Sequence, residues 1–201
     1  MEEINYKGYK IKIEPDENPE SPREWDNLGV MVCFHKGYNL GDKQNEYDHN
    51  AFESWDQLKD EIIYREDTAL ILPLYLYDHS GISISVGSFI GRAQHAEWDS
   101  GLVGFIYATK EAVKKEYGVK RLTKKILEQA EKLLRGEVET YDQFLTGDVY
   151  GYIVEKDNKH LDSCWGFYGE DTAIEEAKGV IEWYVKHEPK AKDKTLYRFN
   201  I

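Results

Sequence analysis

Thr68-Ala-Leu-Ile-Leu-Pro-Leu-Tyr-Leu-Tyr77, then Asp78-His79-Ser80-Gly81, then Ile82-Ser83-Ile84-Ser85-Val86, is the stretch on which the reading of the fold turns. Its first segment, rich in Leu, Ile and Tyr, has the composition of a strand. The next four residues are turn formers, two of them side chains that bond their own backbone. The third segment alternates apolar and hydroxyl side chains, the period of two that puts one face on a core. Two strands joined by so short a turn pair antiparallel.

The same signature recurs outward in both directions. Ile4 to Glu14 alternates around Lys7-Gly8 with Tyr9, Ile11 and Ile13 on one face, and Val149 to Lys156 and His160 to Tyr168 flank Asp157-Asn158-Lys159. Both are predicted hairpins. Leu28 to His35 and Leu102 to Tyr107 read as further strands, and Thr195 to Asn200 as a short closing one. Between them lie helical periods. Phe52, Trp55, Leu58 and Ile62 mark Ala51 to Arg65; Thr109 caps a short helix that stops at Gly118; Leu122, Ile126, Ala130, Leu133 and Leu134 mark Lys120 to about Phe144, with Gly136 a point of bending or division. Asp171 or Thr172 caps a last helix to about His187, carried by Ile174, Ala177, Ile181, Trp183 and Tyr184. Residues 14 to 27 hold three prolines and read as an extended loop, and Gly87 to Gly101 reads as a glycine-punctuated one. Strands grouped in hairpins, without regular strand–helix–strand alternation, predict an α+β fold with a mostly antiparallel sheet and three to four amphipathic helices. No linker or long repeat divides the 201 residues, so residues 1–201 are expected to form a single domain.

The composition excludes several classes. With 41% hydrophobic and 13% aromatic residues the chain can bury a core, which rules out wholesale disorder. Met1 to Tyr6 has neither the basic start nor the apolar core of a secretory leader, and the longest apolar run, Ala69 to Tyr77, is broken by Pro73. It is under half the roughly 20 residues of a membrane helix, so the expectation is a cytoplasmic chain with no membrane partner. The two cysteines, Cys33 and Cys164, form no Cys-x-x-Cys pair and read as strand residues, not as a disulfide or zinc site. No Gly-x-Gly-x-x-Gly occurs, and Gly87 to Arg92 lacks the lysine of a phosphate-binding loop. No cofactor is implied.

Charge is informative in its distribution. The net charge is −12, yet Lys110 to Arg135 holds nine bases against four acids and Lys186 to Arg198 five against two, leaving the remainder strongly acidic. The plain reading is solvated helix faces. The sharper one is a bipolar surface whose acidic side competes for a basic groove, with direct phosphate contact through the Lys110–Arg135 face as an alternative.

Three clusters hold candidate chemistry. Tyr-Asp-His occurs twice, at residues 47–49 and 77–79. Asp48, His49, Asp78 and His79 would together suffice for a metal site or an acid–base dyad, because a carboxylate fixes an imidazole tautomer. Asp and His are also ordinary turn residues, and the turn reading takes precedence. The second cluster, Glu20-Ser-Pro-Arg-Glu-Trp-Asp-Asn-Leu-Gly29, offers Glu20, Arg23, Glu24, Trp25 and Asp26 either as a network pinning a long loop, with Trp25 as its anchor, or as a partner surface. The third, Gln94 to Gly101, places Trp98 and Asp99 beside Ser100, but Trp-Asp-Ser-Gly ahead of a strand does not fit the elbow of a serine hydrolase. Trp98 and Asp99 join the partner-binding candidates. The glycine–aromatic segments Tyr150-Gly-Tyr152 and Trp165-Gly-Phe-Tyr-Gly169 read as strand packing.

Residues 20–29 together with Tyr-Asp-His-Ser-Gly (77–81), Trp-Asp-Ser-Gly (98–101) and the Tyr-Gly and Cys-Trp-Gly-Phe hairpin (150–152, 164–167) resemble an uncharacterised family of small proteins carried by bacteriophages, prophages and plasmids. The resemblance spans about residues 20 to 170 and carries no catalytic residue with it. It implies a mobile-element accessory role, so the expected function is a non-enzymatic inhibitor of a host nucleic-acid defence enzyme, of the restriction or CRISPR-effector kind. The alternative is a small metal-dependent hydrolase or nucleotide-processing enzyme built on the Asp-His pairs.

Overall fold

The computed structural model describes residues 2–42 and 47–187, without the side chains of Glu2 and His49. The strand expected at Thr195 to Asn200, and all but the start of the second basic stretch, lie outside these residues. In chain order the elements are β1 (Glu2–Tyr6), β2 (Tyr9–Pro15), β3 (Val30–Cys33), α1 (Trp55–Arg65), β4 (Thr68–Asp78), β5 (Ile82–Ser85), α2 (Ala96–Asp99), β6 (Ser100–Thr109), α3 (Lys110–Glu116), α4 (Lys124–Thr146), β7 (Val149–Lys156), β8 (Lys159–Tyr168) and α5 (Glu170–His187). Every strand pair is antiparallel, in two four-stranded sheets ordered β1-β2-β7-β8 and β3-β6-β4-β5, so the α+β fold expected from the hairpins is the fold observed. The chain divides into two compact units, residues 1–17 with 149–201, and residues 18–148.

In the first unit the turns at Lys7-Gly8 and Asp157-Asn158 all have positive φ, the backbone that matches strand twist in a tight hairpin. Tyr9, Ile11 and Ile13 of β2 and Tyr152 and Val154 of β7 face α5, which buries Ala173, Ala177 and Ile181 at four-residue spacing. Across the β2–β7 pair, Lys12 Nζ donates to Glu155 at 2.7 Å.

In the second unit the β3-β6-β4-β5 sheet has a helix on each face. One core holds Leu74, Leu76, Ile84, Ile106 and Ala108 against Ala130, Leu134, Val138 and Tyr141 of α4. The other holds Val32, Tyr47, Phe105 and Tyr107 against Leu58 and Ile62 of α1. A register shift between Leu74 and Tyr75 opposite Gly104 and Leu102 switches which β6 residues face which core: Leu102, Phe105 and Tyr107 go to the α1 side, Val103, Ile106 and Ala108 to the α4 side. Gly104 sits where β3 crosses closest, and an added Cβ there would overlap the Val32 carbonyl oxygen.

Three local expectations change. Gly136 does not divide α4, which runs unbroken from a Thr123 cap to Gly147 in the left-handed region, because the apolar stripe continues through Val138 and Tyr141 past the glycine. Within the proline-rich loop, Ser21 caps a single 3₁₀ turn at Pro22–Glu24, where proline's fixed φ suits a first helical position. The Gly87–Gly101 loop contains the one-turn α2.

Candidate functional site

The residues flagged in the sequence belong to the second unit, and the structure sorts them into three places. Arg23 is the first. Its side chain is only 7% exposed; it forms a two-pronged pair with Asp42, donates from Nη2 to the Gly29 carbonyl at 2.6 Å, and lies 3.4 Å from Glu137 of α4. The carboxylates are held from the other side: Met31 N donates to Asp42 at 2.9 Å, and Leu28 N and Gly29 N donate to Glu137 at 2.8 and 3.0 Å. Burial opposes the Arg23 charge, but its bond to Asp42 and the two carboxylate charges outweigh that and hold it above its ordinary value. Burial pushes the Glu137 carboxyl up, against the pull of the Leu28 and Gly29 amides and Arg23. Arg23 is therefore a pin between loop and helix, the network role that the sequence offered beside a partner surface, and its side chain is too buried to be the main contact of such a surface. Around it Glu20, Glu24, Trp25 and Asp26 stay exposed, and Asn27 locks the turn by donating to the Pro22 and Trp25 carbonyls at 2.8 and 2.9 Å.

Trp98, Asp99, Asp78 and His79 make up the second place. Asp78 ends β4, His79 and Ser80 form the turn into β5, and Trp98 and Asp99 lie on α2. His95 begins α2 with φ 57°, Ser80 has φ 60°, and both are non-glycine residues in the left-handed region beside the site. Ser100 Oγ donates to the Ala96 carbonyl at 2.6 Å and closes the α2 turn. This leaves Trp98 88% exposed at a cleft of about 490 Å³ that also holds His35, Lys36, Asp78 and Asp99 over Leu76, Leu102 and Val103. Asp99 Oδ2 and His79 Nδ1 are 2.8 Å apart, so the two Asp- and His-bearing motifs meet as one dyad. The Tyr77 ring stacks on His79 at 5.9 Å and on Phe89 at 5.5 Å, while its hydroxyl donates to the Gln94 carbonyl at 2.9 Å. The His95 ring lies 6.0 Å from that of His79. Tyr38 donates to Asp78 Oδ1 at 3.2 Å and stacks on His35 at 4.9 Å, and that bond to Asp78, with burial, raises its hydroxyl above the ordinary value.

The third place is the first Tyr-Asp-His. Tyr47 is in the α1 core with its hydroxyl bonded to Glu66 at 2.9 Å, and Asp48 accepts from Asn50 N at 3.0 Å in a turn. His49's side chain lies outside the described residues. Among the described residues no group of three or more His, Cys, Asp and Glu side chains could hold a metal ion. The basic face is also partly neutralised: Lys110 pairs with Asp67, Lys124 with Glu128 and Arg135 with Glu131.

Chemically, the cleft presents two carboxylates and a nearly free indole, with the His79 imidazole, bonded to Asp99, next to it and outside its lining. It lacks an activated nucleophile, since Ser100 is committed to a backbone carbonyl. Asp42, Glu137, His35 and Tyr38 were not anticipated from the sequence, whereas His95 lies in the flagged Gln94–Gly101 cluster. Glu137 did leave a signal, as an acid three residues after Leu134 and four before Tyr141 within the apolar stripe of α4. Comparison with protein-family models, with curated proteins and with solved structures finds no match to this chain. Among the described residues no helix is long and apolar enough to cross a membrane.

Proposed function

We propose that this chain acts by binding a protein partner, with the Trp98 cleft as the principal contact and the acidic loop Glu20–Asp26 as a second. The observation that carries the reading is Trp98, an indole 88% exposed at the rim of a cleft. Tryptophan left in water on a built surface is the residue type most enriched among binding hot spots. The Arg23 pin supports the loop's part, because a loop ordered before binding loses less entropy on association. The partner is a host nucleic-acid defence enzyme of the restriction or CRISPR-effector kind; the net charge of −12 and the motif resemblance to phage and plasmid proteins support that choice.

The test is expression of the chain in bacteria carrying a defined restriction or CRISPR system, scored by plating efficiency of a sensitive phage and by co-purification of the nuclease. A rise in plating that disappears with Trp98→Ala is the expected result. No rise with any system, together with no nuclease recovered at low or moderate salt, overturns the reading.

The His79–Asp99 bond favours a second reading, hydrolysis or nucleotide processing with His79 as proton acceptor. It requires a turnover that His79→Ala abolishes while the fold, read by circular dichroism, is unchanged.

A further inference from the structure

Resting on the reading of the Trp98 cleft as a partner contact, we infer that its occupant is an arginine side chain of the partner. Asp78 and Asp99 each have one carboxylate oxygen engaged, by the Tyr38 hydroxyl and by His79, and the second oxygen of each accepts from no described residue. The engaged oxygens fix the orientation of the carboxylates and leave the others as acceptors set in place before binding. Among the described residues the Trp98 indole stacks on no other ring and carries no cation. A guanidinium is the group that uses both features, since it is planar, lies flat on an indole, and donates in parallel to carboxylate oxygens. Leu76, Leu102 and Val103 supply an apolar floor for its methylene stem, and the cleft of about 490 Å³ falls within the usual range of small-ligand sites, about 300–1,000 Å³.

Charge separates the occupants. Among the described residues Lys36 is the only lysine or arginine lining the cleft, against Asp78 and Asp99, with His35 beside them. A phosphate would meet two carboxylates at close range, so the cleft selects against nucleic acid and for a cation. Compared with lysine, arginine gains from stacking on Trp98 and from its forked geometry. A basic nucleic-acid groove is rich in arginine, which makes this occupant the one a defence enzyme would present.

The probes are nona-arginine and nona-lysine peptides, with affinities measured by calorimetry above neutral pH at low and moderate salt. Nona-arginine is expected to bind wild type more tightly than nona-lysine does. Both Trp98→Ala and the pair Asp78→Asn with Asp99→Asn are expected to weaken it about tenfold. The control neutralises three exposed acids outside both proposed contacts, by Glu53→Gln, Asp60→Asn and Glu61→Gln. It removes more charge than the cleft pair, yet is expected to weaken binding by less than about threefold. A control as damaging as the cleft variants, or nona-lysine binding equal to nona-arginine, overturns the inference, because the attraction is then overall charge. The assay also separates the two levels of the argument. Trp98-dependent phage protection without Trp98-dependent peptide binding sinks the guanidinium alone; the reverse pattern sinks the defence-enzyme partner alone.

Discussion

Replacing Arg23 by methionine keeps most of the side chain's length and removes its charge, which leaves Asp42 and Glu137 without their shared cation. Three bonded partners are lost: both oxygens of Asp42, the Gly29 carbonyl and the longer contact to Glu137. Glu137 is 9% exposed and Asp42 23%, so water reaches the first poorly and the second in part. Removing one member of a buried ion pair costs about 3–5 kcal/mol, and the backbone amides that still bond both carboxylates put the expected value near the low end, about 3 kcal/mol. In a chain of this size that lowers Tm by roughly 6–12 °C. Urea titration followed by tryptophan fluorescence and circular dichroism measures the loss. The decisive comparison is the double variant Arg23→Met with Glu137→Gln, in which the more deeply stranded charge, that of Glu137, is gone, so it should recover at least about 1 kcal/mol over the sum of the two single losses. A single-variant loss under about 1 kcal/mol, or strict additivity, refutes the pin. The Glu20–Asp26 loop would then have to be held without it, by contacts such as its 3₁₀ turn and the Asn27 bonds.

Gly104→Ala should cost about 3 kcal/mol or more by urea titration, since the new methyl group overlaps the Val32 carbonyl oxygen and forces β3 away from β6; a loss under about 1 kcal/mol would show that the strands part freely. Trp98→Ala should leave stability within about 0.5 kcal/mol of wild type, because an indole so exposed buries little, and a large loss would make Trp98 a packing residue. One thiol per folded chain should react with Ellman's reagent and two in denaturant: burial, with Asp42 as a lesser cause, pushes the Cys33 thiol up to about 12, whereas Cys164 is exposed. Two rapid native reactions would contradict the β3 burial. The Lys12 hydrogen bond holds Glu155 below its ordinary 4.5, so between the folded and ordinary values the unfolded chain binds more protons. The stability from this pair is fully present above pH 4.5 and is lost as pH falls through the folded value; Glu155→Gln should flatten the urea midpoint over that window, and an unchanged slope would remove the pair from the acid response.

Within the candidate site, the sequence flagged Asp78 with His79, and Trp98 with Asp99, in separate clusters and with different roles. Their meeting was hidden because the partners of the 2.8 Å His79–Asp99 bond are twenty residues apart, with the β5 strand and a loop between them. Asp48 has the same local spelling as Asp78 and ends in a turn beside α1, so the repeated motif carried turn chemistry in one copy and a cleft wall in the other. Arg23 was legible as a network residue in kind; its partners Asp42 and Glu137, 19 and 114 positions away, were not.

What the sequence by itself determined is what neighbours within about four positions decide. These are the positive-φ hairpin turns at Lys7-Gly8 and Asp157-Asn158, the cap at Thr109, the phase of each apolar stripe, and the uneven charge. Only the tertiary structure decided that the strands form two sheets, that β2 pairs with β7 across more than a hundred residues, that a bulge at Val103–Gly104 switches the faces of β6, and which charges meet. Strand edges and carboxylates are chemically alike wherever they occur, so their pairing is set by which apolar faces can be buried together, and that is a property of the whole chain.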